Sequence, residues 1–415
     1  MLSLPYSPVD AARVSAIVAC AGFLWSPTVA TVGLIATYVA FVASGEISVR
    51  FRNVLARPAV YWGLIFLGLV LLGTLYGAVP WPERLVGVLK WRTILWFLVL
   101  LVLFDRQEWK DRLLVAFLAA TVVGLMASFA AAGGIISPQR GPAGVLRNSS
   151  TQGVAFAASA LICFWRWLER QESERASWGW LLFGAIYVIN IVFITPGMSG
   201  YGVMGIGLGV LLMYRVPTQW WVAVGAGIAI CGVLAYSVSP QMQARVDRSV
   251  NEWVHADELG RHTPLGSRRV FHTNALEIAK EHWVVGVGTG GFRNAYAEHV
   301  ARKYEASDWR AEPTGDPHNQ YLAIWVTQGI VGLAAFLIWL VVMIRDRESV
   351  PRYRPLALAL FISWCMSSLS SSHFTTFAEG HLIATFAGVL LANGSTAGVT
   401  GSPIQVPGVR GGGSC

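Results

Sequence analysis

The chain is a succession of apolar runs separated by short polar breaks. The runs fall at roughly 11–25, 28–43, 59–79, 85–104, 113–132, 152–168, 178–194, 200–216, 220–238, 319–344, 356–369 and 380–392. A hydrocarbon layer of about 30 Å is crossed by about 20 apolar residues in a helix. Inside the runs apolar and polar residues do not alternate evenly, as barrel strands would. Backbone groups left unpaired in hydrocarbon are costly, so helix is the state that satisfies each run internally. The pattern predicts an all-α polytopic membrane protein of about twelve transmembrane helices over residues 1–395. One long, partly helical loop, about 239–318, separates the ninth and tenth helices. Within it, Ser267 to Phe271 leads into Ala275-Leu276-Glu277-Ile278-Ala279-Lys280. That spacing predicts an amphipathic helix lying against the outer bilayer surface. The chain shows no internal repeat and no inverted half-to-half symmetry of the transporter kind.

Composition agrees with the pattern. Hydrophobic residues make up 54% and charged residues 13%, where a soluble domain carries roughly 25%. Soluble enzymes, disordered regulators and secreted disulfide scaffolds are excluded together. The net charge of +8 does not indicate nucleic acid, because the basic residues are scattered through loops. With an inner N-terminus, sixteen Lys and Arg fall in inner loops and five (Arg84, Lys90, Arg92, Arg140 and Arg147) in short outer ones. This asymmetry predicts N-in and C-in, with the long loop outside. Of the five cysteines, four lie in apolar runs and Cys415 ends a Gly-rich tail, so no disulfide framework is expected. Residues 396–415 read as a disordered tail or a cloning remnant outside the fold.

Cations on the outer side run against the orientation rule and call for a reason. Arg84 is expected to snorkel to headgroups. Lys90 and Arg92 either do the same or join a pocket for an anionic headgroup such as a diphosphate, which planar guanidinium groups bind bidentately. Arg147 and Arg140 are candidates for the same pocket. Arg147 stands out because Asn148-Ser149-Ser150 follows as a helix start, whose N–H groups attract phosphate. All eight histidines lie on the outer side without zinc-ligand spacing, and no metal site or cofactor is expected. The turn Leu24-Trp25-Ser26-Pro27 holds no carboxylate where metal-dependent membrane glycosyltransferases usually place one. Gly286-Val287-Gly288-Thr289-Gly290-Gly291-Phe292 fits a dinucleotide pattern formally but lacks its strand-to-helix setting. Gly286, Gly288, Gly290 and Gly291 are expected to form a structural turn. In Asp316-Pro317-His318-Asn319-Gln320, Asp316 is expected to cap the next helix and Pro317 to open it, leaving a neutral His318 in its first turn.

The ordered set Arg268, Asn274, Glu281-His282, the glycine segment, His318-Asn319-Gln320-Tyr321-Leu322 and Gln328-Gly329-Ile330 resembles the O-antigen ligase and polymerase superfamily. At motif level the resemblance spans the ninth to eleventh helices. It implies a GT-C-like, inverting, metal-independent glycosyltransferase in a bacterial inner membrane, with its active site facing the periplasm. The implied donor is an undecaprenyl-diphosphate-linked O-antigen and the implied acceptor a lipid A–core oligosaccharide. Membrane lipids are the other expected partners, and no nucleic acid is. The resemblance makes His318 the catalytic base and Arg268 a catalytic, diphosphate-binding arginine, with Arg147, Arg140, Lys90 and Arg92 as further diphosphate ligands. The family often carries a Ser-Arg pair where this chain has Met198-Ser199, so Arg147 or Arg140 is expected to stand in. A Wzy-type polymerase and a protein O-oligosaccharyltransferase share the chemistry with different acceptors. A lipid-linked sugar flippase is the alternative of another class, against which the nearly charge-free helix centres weigh.

Overall fold

The computed structural model describes residues 7–137, 144–170, 178–195, 197–255 and 263–394. Arg140 and the tail 396–415 lie outside them. Each of the twelve apolar runs is helical. In chain order the helices are α1 (Pro8–Trp25), α2 (Pro27–Ala43), α3 (Ile47–Arg52), α4 (Pro58–Tyr76), α5 (Trp81–Leu89), α6 (Arg92–Leu103), α7 (Gln107–Ala132), α8 (Ser149–Arg170) and α9 (Trp178–Phe193). They continue as α10 (Met198–Met213), α11 (Trp221–Val238), α12 (Pro240–Val254), α13 (Pro264–Glu281), α14 (Phe292–Lys303), α15 (Gln320–Arg345), α16 (Arg354–Ser367) and α17 (Phe377–Leu391). Proline opens α1, α2, α4, α12 and α13, where its missing N–H forfeits no helical bond. Among the described residues six helical segments are long and apolar enough to cross a membrane, and five shorter helices are apolar.

Helices α6, α8 and α17 are deeply buried. Val154 to Ala158 and Ala160 to Cys163 are fully buried, as is nearly all of α17, the signature of helices surrounded by protein on all sides. At the other extreme α11 buries no residue, so its apolar surface is left for lipid. Helices α1 and α2 meet through small residues: a Cβ on Gly33 would fall 2.9 Å from the Cα of Ala19, the close backbone approach that membrane helices use.

Two expectations about elements are corrected. The run 85–104 is two helices, α5 and α6, broken at Lys90–Trp91. The break leaves α5 as a nine-residue piece with exposed Trp81, Leu85, Val86 and Leu89. Among its described residues the long loop holds three α-helices, α12 to α14, and α13 does not give its apolar stripe to a bilayer surface. Ala275, Ile278 and Ala279 pack with Phe292, Tyr296 and Val300 of α14 and Val326 of α15 in a small outer core. Asn274, fully buried, ties that core together: it donates to Tyr296 Oη (3.0 Å) and accepts from Lys303 Nζ (3.1 Å).

The glycine segment is threaded into a break in α15. Gly329 has φ 64° and ψ −168°, which interrupts the helical bonds and frees main-chain groups on both sides. Val287 and Gly288 donate to the carbonyls of Val326 and Thr327 (2.9 and 3.0 Å), and Ile330 donates to Trp283 O (2.8 Å). Thr289 N–H bonds Gly73 O of α4 (2.9 Å), so the loop also cements α4 to α15. Positive φ is found at Gly286, Gly288 and Gly290. Gly291 is right-handed (φ −76°) and caps α14. A Cβ on Gly329 would sit 2.0 Å from Val284 O. Gly329→Ala is therefore expected to cost about 3 kcal/mol or more through strain plus collision. Gly68, with open space around its Cβ position, is the control: Gly68→Ala should leave the thermal midpoint, followed by scanning fluorimetry in detergent, unchanged or slightly raised.

Candidate functional site

A cavity of about 550 Å³ opens at the end of the bundle that carries α12 to α14. Four helices begin at its wall. Asn148 to Ser150 start α8, Gly197 to Ser199 start α10, Pro264 and Leu265 start α13, and Thr376 to Glu379 start α17. Each start brings main-chain N–H groups and the positive end of a helix dipole to the same space. The α8 start is capped by Asn148, whose Oδ1 accepts from Thr151 N–H (2.7 Å). A Cβ on Gly200 would lie 2.9 Å from Gly153 Cα. That close approach brings the α8 and α10 starts side by side, with Ser150 Oγ 3.2 Å from Ser199 Oγ.

Three guanidinium groups, those of Arg147, Arg245 and Arg268, share the cavity with His318. Arg147 stacks on Phe377 at 5.0 Å. Burial pushes Arg268 below the ordinary arginine range, while Asp316 pulls it back, and a guanidinium stays charged throughout. The cavity's three carboxylates each serve the scaffold. Asp316 Oδ1 accepts from Ser372 Oγ (2.6 Å) and His318 N–H (2.8 Å). Glu379 accepts from Thr151 (2.6 Å) and Thr376 (2.9 Å), and Glu252 accepts from Leu265 N–H (3.1 Å).

The segment around His318 is folded differently from the sequence expectation. The α15 cap is Asn319, whose Oδ1 accepts from both Tyr321 and Leu322 N–H (3.0 and 3.1 Å). Asp316 instead receives the His318 N–H in a local turn, and His318 lies before the helix at φ 56°. It is the one non-glycine residue with positive φ among those described. A left-handed histidine is strained by roughly 1–2 kcal/mol and persists here because three groups hold it. Besides Asp316, the Phe271 ring stacks on its imidazole (centroids 6.2 Å, 25° between planes), and a ring nitrogen of His272 bonds its main chain. Burial holds the His318 imidazole below its ordinary range, Arg268 pushes the same way and Asp316 opposes. The ring is thus neutral near pH 7 and free to accept a proton.

Helix α13 delivers Arg268, Phe271 and His272 at i, i+3 and i+4, the spacing of one helical face. Arg268 was singled out from sequence; Phe271 and His272 were missed, although the spacing was legible. Arg245 was missed too. It shares a face with Ser249 and Glu252 at i+4 and i+7, and all three line the cavity. His373 and Glu379 lay hidden in what read as the edge of an apolar run. Thr376 and Glu379 do have capping-box spacing, T-x-x-E. His373 is 1% exposed, with Nε2 3.0 Å from Ser367 Oγ.

Of the predicted diphosphate ligands, Arg147 and Arg268 join His318. Lys90 does not line this cavity but a neighbouring one. Arg92 sits at 5.4 Å over the ring of Phe377, which Arg147 also contacts, and donates to Leu89 O (2.9 Å). The two cations thus enter different surroundings, as residues two apart on a helix do not share a face. Arg84 does not snorkel: it donates to the carbonyls of Thr74 and Val79 (2.7 and 2.6 Å) at the end of α4.

Residues 183–337 match a protein-family model described as O-antigen ligase. The matched stretch contains Ser199, Arg245, Arg268 and His318. An uncharacterized protein of Haemophilus influenzae is 30% identical over 170 residues, covering 38% of this chain and 41% of the relative. The chain thus spans about two fifths of that relative's length.

Proposed function

The chain belongs to the O-antigen ligase superfamily, and from that premise we propose that it transfers O-antigen polysaccharide from undecaprenyl diphosphate to a sugar hydroxyl of lipid A–core. The reaction proceeds at the periplasmic face of the inner membrane. The acceptor oxygen attacks the anomeric carbon from the side opposite the diphosphate, forming one C–O bond as the other breaks. The configuration inverts, the hydroxyl proton passes to the neutral His318 imidazole, and undecaprenyl diphosphate departs. A positioned base of this kind contributes on the order of 10²–10⁴-fold. The charge that grows on the leaving diphosphate meets Arg268, Arg147 and Arg245 together with the helix starts around them. Where the superfamily carries a Ser-Arg pair, Ser199 has Arg147 and Arg245 beside it in the same cavity. Twelve membrane crossings of GT-C-like arrangement, with both termini inside, put this cavity on the outer side.

The observation that carries the reading is the convergence of one neutral, half-buried histidine and three guanidinium groups where four helices begin. It is tested by transfer in nanodiscs supplied with undecaprenyl-diphosphate-linked glycan and lipid A–core, with EDTA present. The expected outcome is glycan attached to lipid A–core. Elongation of the lipid-linked glycan with the lipid A–core untouched would make the protein a polymerase and overturn the acceptor assignment.

A further inference from the structure

A second cavity, of about 580 Å³, adjoins the first and takes no part in the chemistry so far derived. Asp316 lines both, Pro317 and Ser372 line the second, and His318 and His373 line the first.

Three features of this second cavity point to one class of ligand. Gln320, in its wall, is fully buried; its Oε1 accepts from Phe374 N–H (3.1 Å), whereas its Nε2 has no hydrogen-bond partner among the described residues. A buried amide donor without a partner, in a residue of the cavity wall, is a polar group whose hydrogen bond is still to be made. The other polar lining includes both charge signs, Glu83 and Asp316 with Lys90 and Arg293, beside amide and hydroxyl groups such as Asn294 and Thr375. Donors and acceptors so interspersed suit an array of sugar hydroxyls better than a phosphate, which takes donors alone. Finally, Glu83 and Val86 belong to α5, whose Trp81, Leu85, Val86 and Leu89 are more than half exposed. A short amphipathic helix of this kind lies at the membrane interface, so the cavity is flanked by lipid.

We infer that the second cavity seats the sugar of a membrane-anchored saccharide, the acceptor, which offers its hydroxyl to His318 across Asp316. The inference rests on the function proposed above and divides its two substrates between the two cavities. It also reassigns Lys90 from the diphosphate to the acceptor.

The test is the double substitution Lys90→Ala/Asn294→Ala. Both side chains reach the cavity from its rim, and neither makes a hydrogen bond that holds the fold among the described residues. Gln320→Glu is the second variant: it keeps the Oε1 acceptor and replaces the unpartnered amide nitrogen. Two readouts are taken: transfer kinetics with each substrate varied, and equilibrium binding of radiolabelled, deacylated core oligosaccharide to protein in nanodiscs. The double variant is expected to raise the acceptor KM and the oligosaccharide Kd about tenfold, with the donor KM unchanged; Gln320→Glu shifts the same two constants. An unchanged oligosaccharide Kd in both variants, a rise in donor KM instead, or no binding by the native protein overturns the inference. Oligosaccharide binding that is lost in the variants, in a protein that transfers no glycan, would uphold the subsite while sinking the proposed function.

Discussion

His318→Asn is expected to abolish the proposed glycan transfer, a loss of at least about 10²-fold, while the protein retains its fold and its affinity for the donor lipid. Asparagine is the informative replacement because the position has φ 56°. Asn tolerates the left-handed region that Ala occupies only with strain, so a stability loss does not masquerade as lost chemistry. The amide cannot take a proton, and the missing base costs the rate its factor of about 10²–10⁴. The native protein provides a second check. With burial holding the imidazole down, activity should fall on acidification with an apparent pKa below the ordinary 6.5 of histidine. The sign follows from the role: the base works deprotonated, so its contribution is present above that pKa and lost beneath it. A pH profile with no acid limb, or native-like turnover by the Asn variant, would remove His318 from the reaction.

Arg268→Ala is expected to reduce kcat by about 10²–10³-fold, the usual effect of deleting one group that stabilises charge in the transition state. Arg268→Lys should recover only part of this. Lysine restores the charge but not the planar pair of donors that grips two oxygens at once. The half-buried position sharpens the contrast, since a desolvated charge acts more strongly than an exposed one. Because Arg268 sits one helical turn before His272, circular dichroism and the thermal midpoint should accompany the kinetics, to show that α13 still supports the His318 turn. Equal rates for Arg and Lys would mean that diffuse positive charge suffices.

The helices were legible because a bilayer leaves the chain no other choice: a run of apolar residues long enough to cross must satisfy its own backbone. What escaped the sequence arose from contacts between distant segments. Nothing local distinguishes Asp316 from Asn319 as the cap of α15. Asp316 is drawn off by its own chain two residues on and by Ser372 from 56 residues away. The break at Gly329 is invisible without the loop that fills it: the glycines of that loop read as a structural turn, and nothing local showed where the turn would dock. The site shows the same division. His318 and Arg147 stood out as polar residues at helix starts and Arg268 through the family resemblance, whereas Arg245, His373 and Glu379 acquire meaning only when α12 and α17 are brought to the starts of α8 and α10. Lys90 and Arg92 were grouped as outer-side cations near one helix end, and they enter different surroundings.

At the end of the bundle away from the cavity, the cations that gave the orientation signal are paired with acids. Arg13 bonds Asp10 and Asp105 (2.7 and 2.5 Å), Arg57 bonds Asp346 (2.6 Å), Arg166 bonds Asp111 (2.7 Å), and Arg352 bonds Glu169. Arg57 and Asp346 are 289 residues apart in sequence. During synthesis, then, Arg57 emerges bare and stays so until most of the chain has been made, which is when a cation steers insertion. Once the bundle closes, the same charge is 2% exposed and neutralised. With the N-terminus inside, as the charge asymmetry predicts, one residue would act twice, first as a signpost for the inserting chain and later as a latch between its early and late helices. The late partner makes the latch directional in time: a chain that stops before Asp346 lacks the acid that pairs with Arg57.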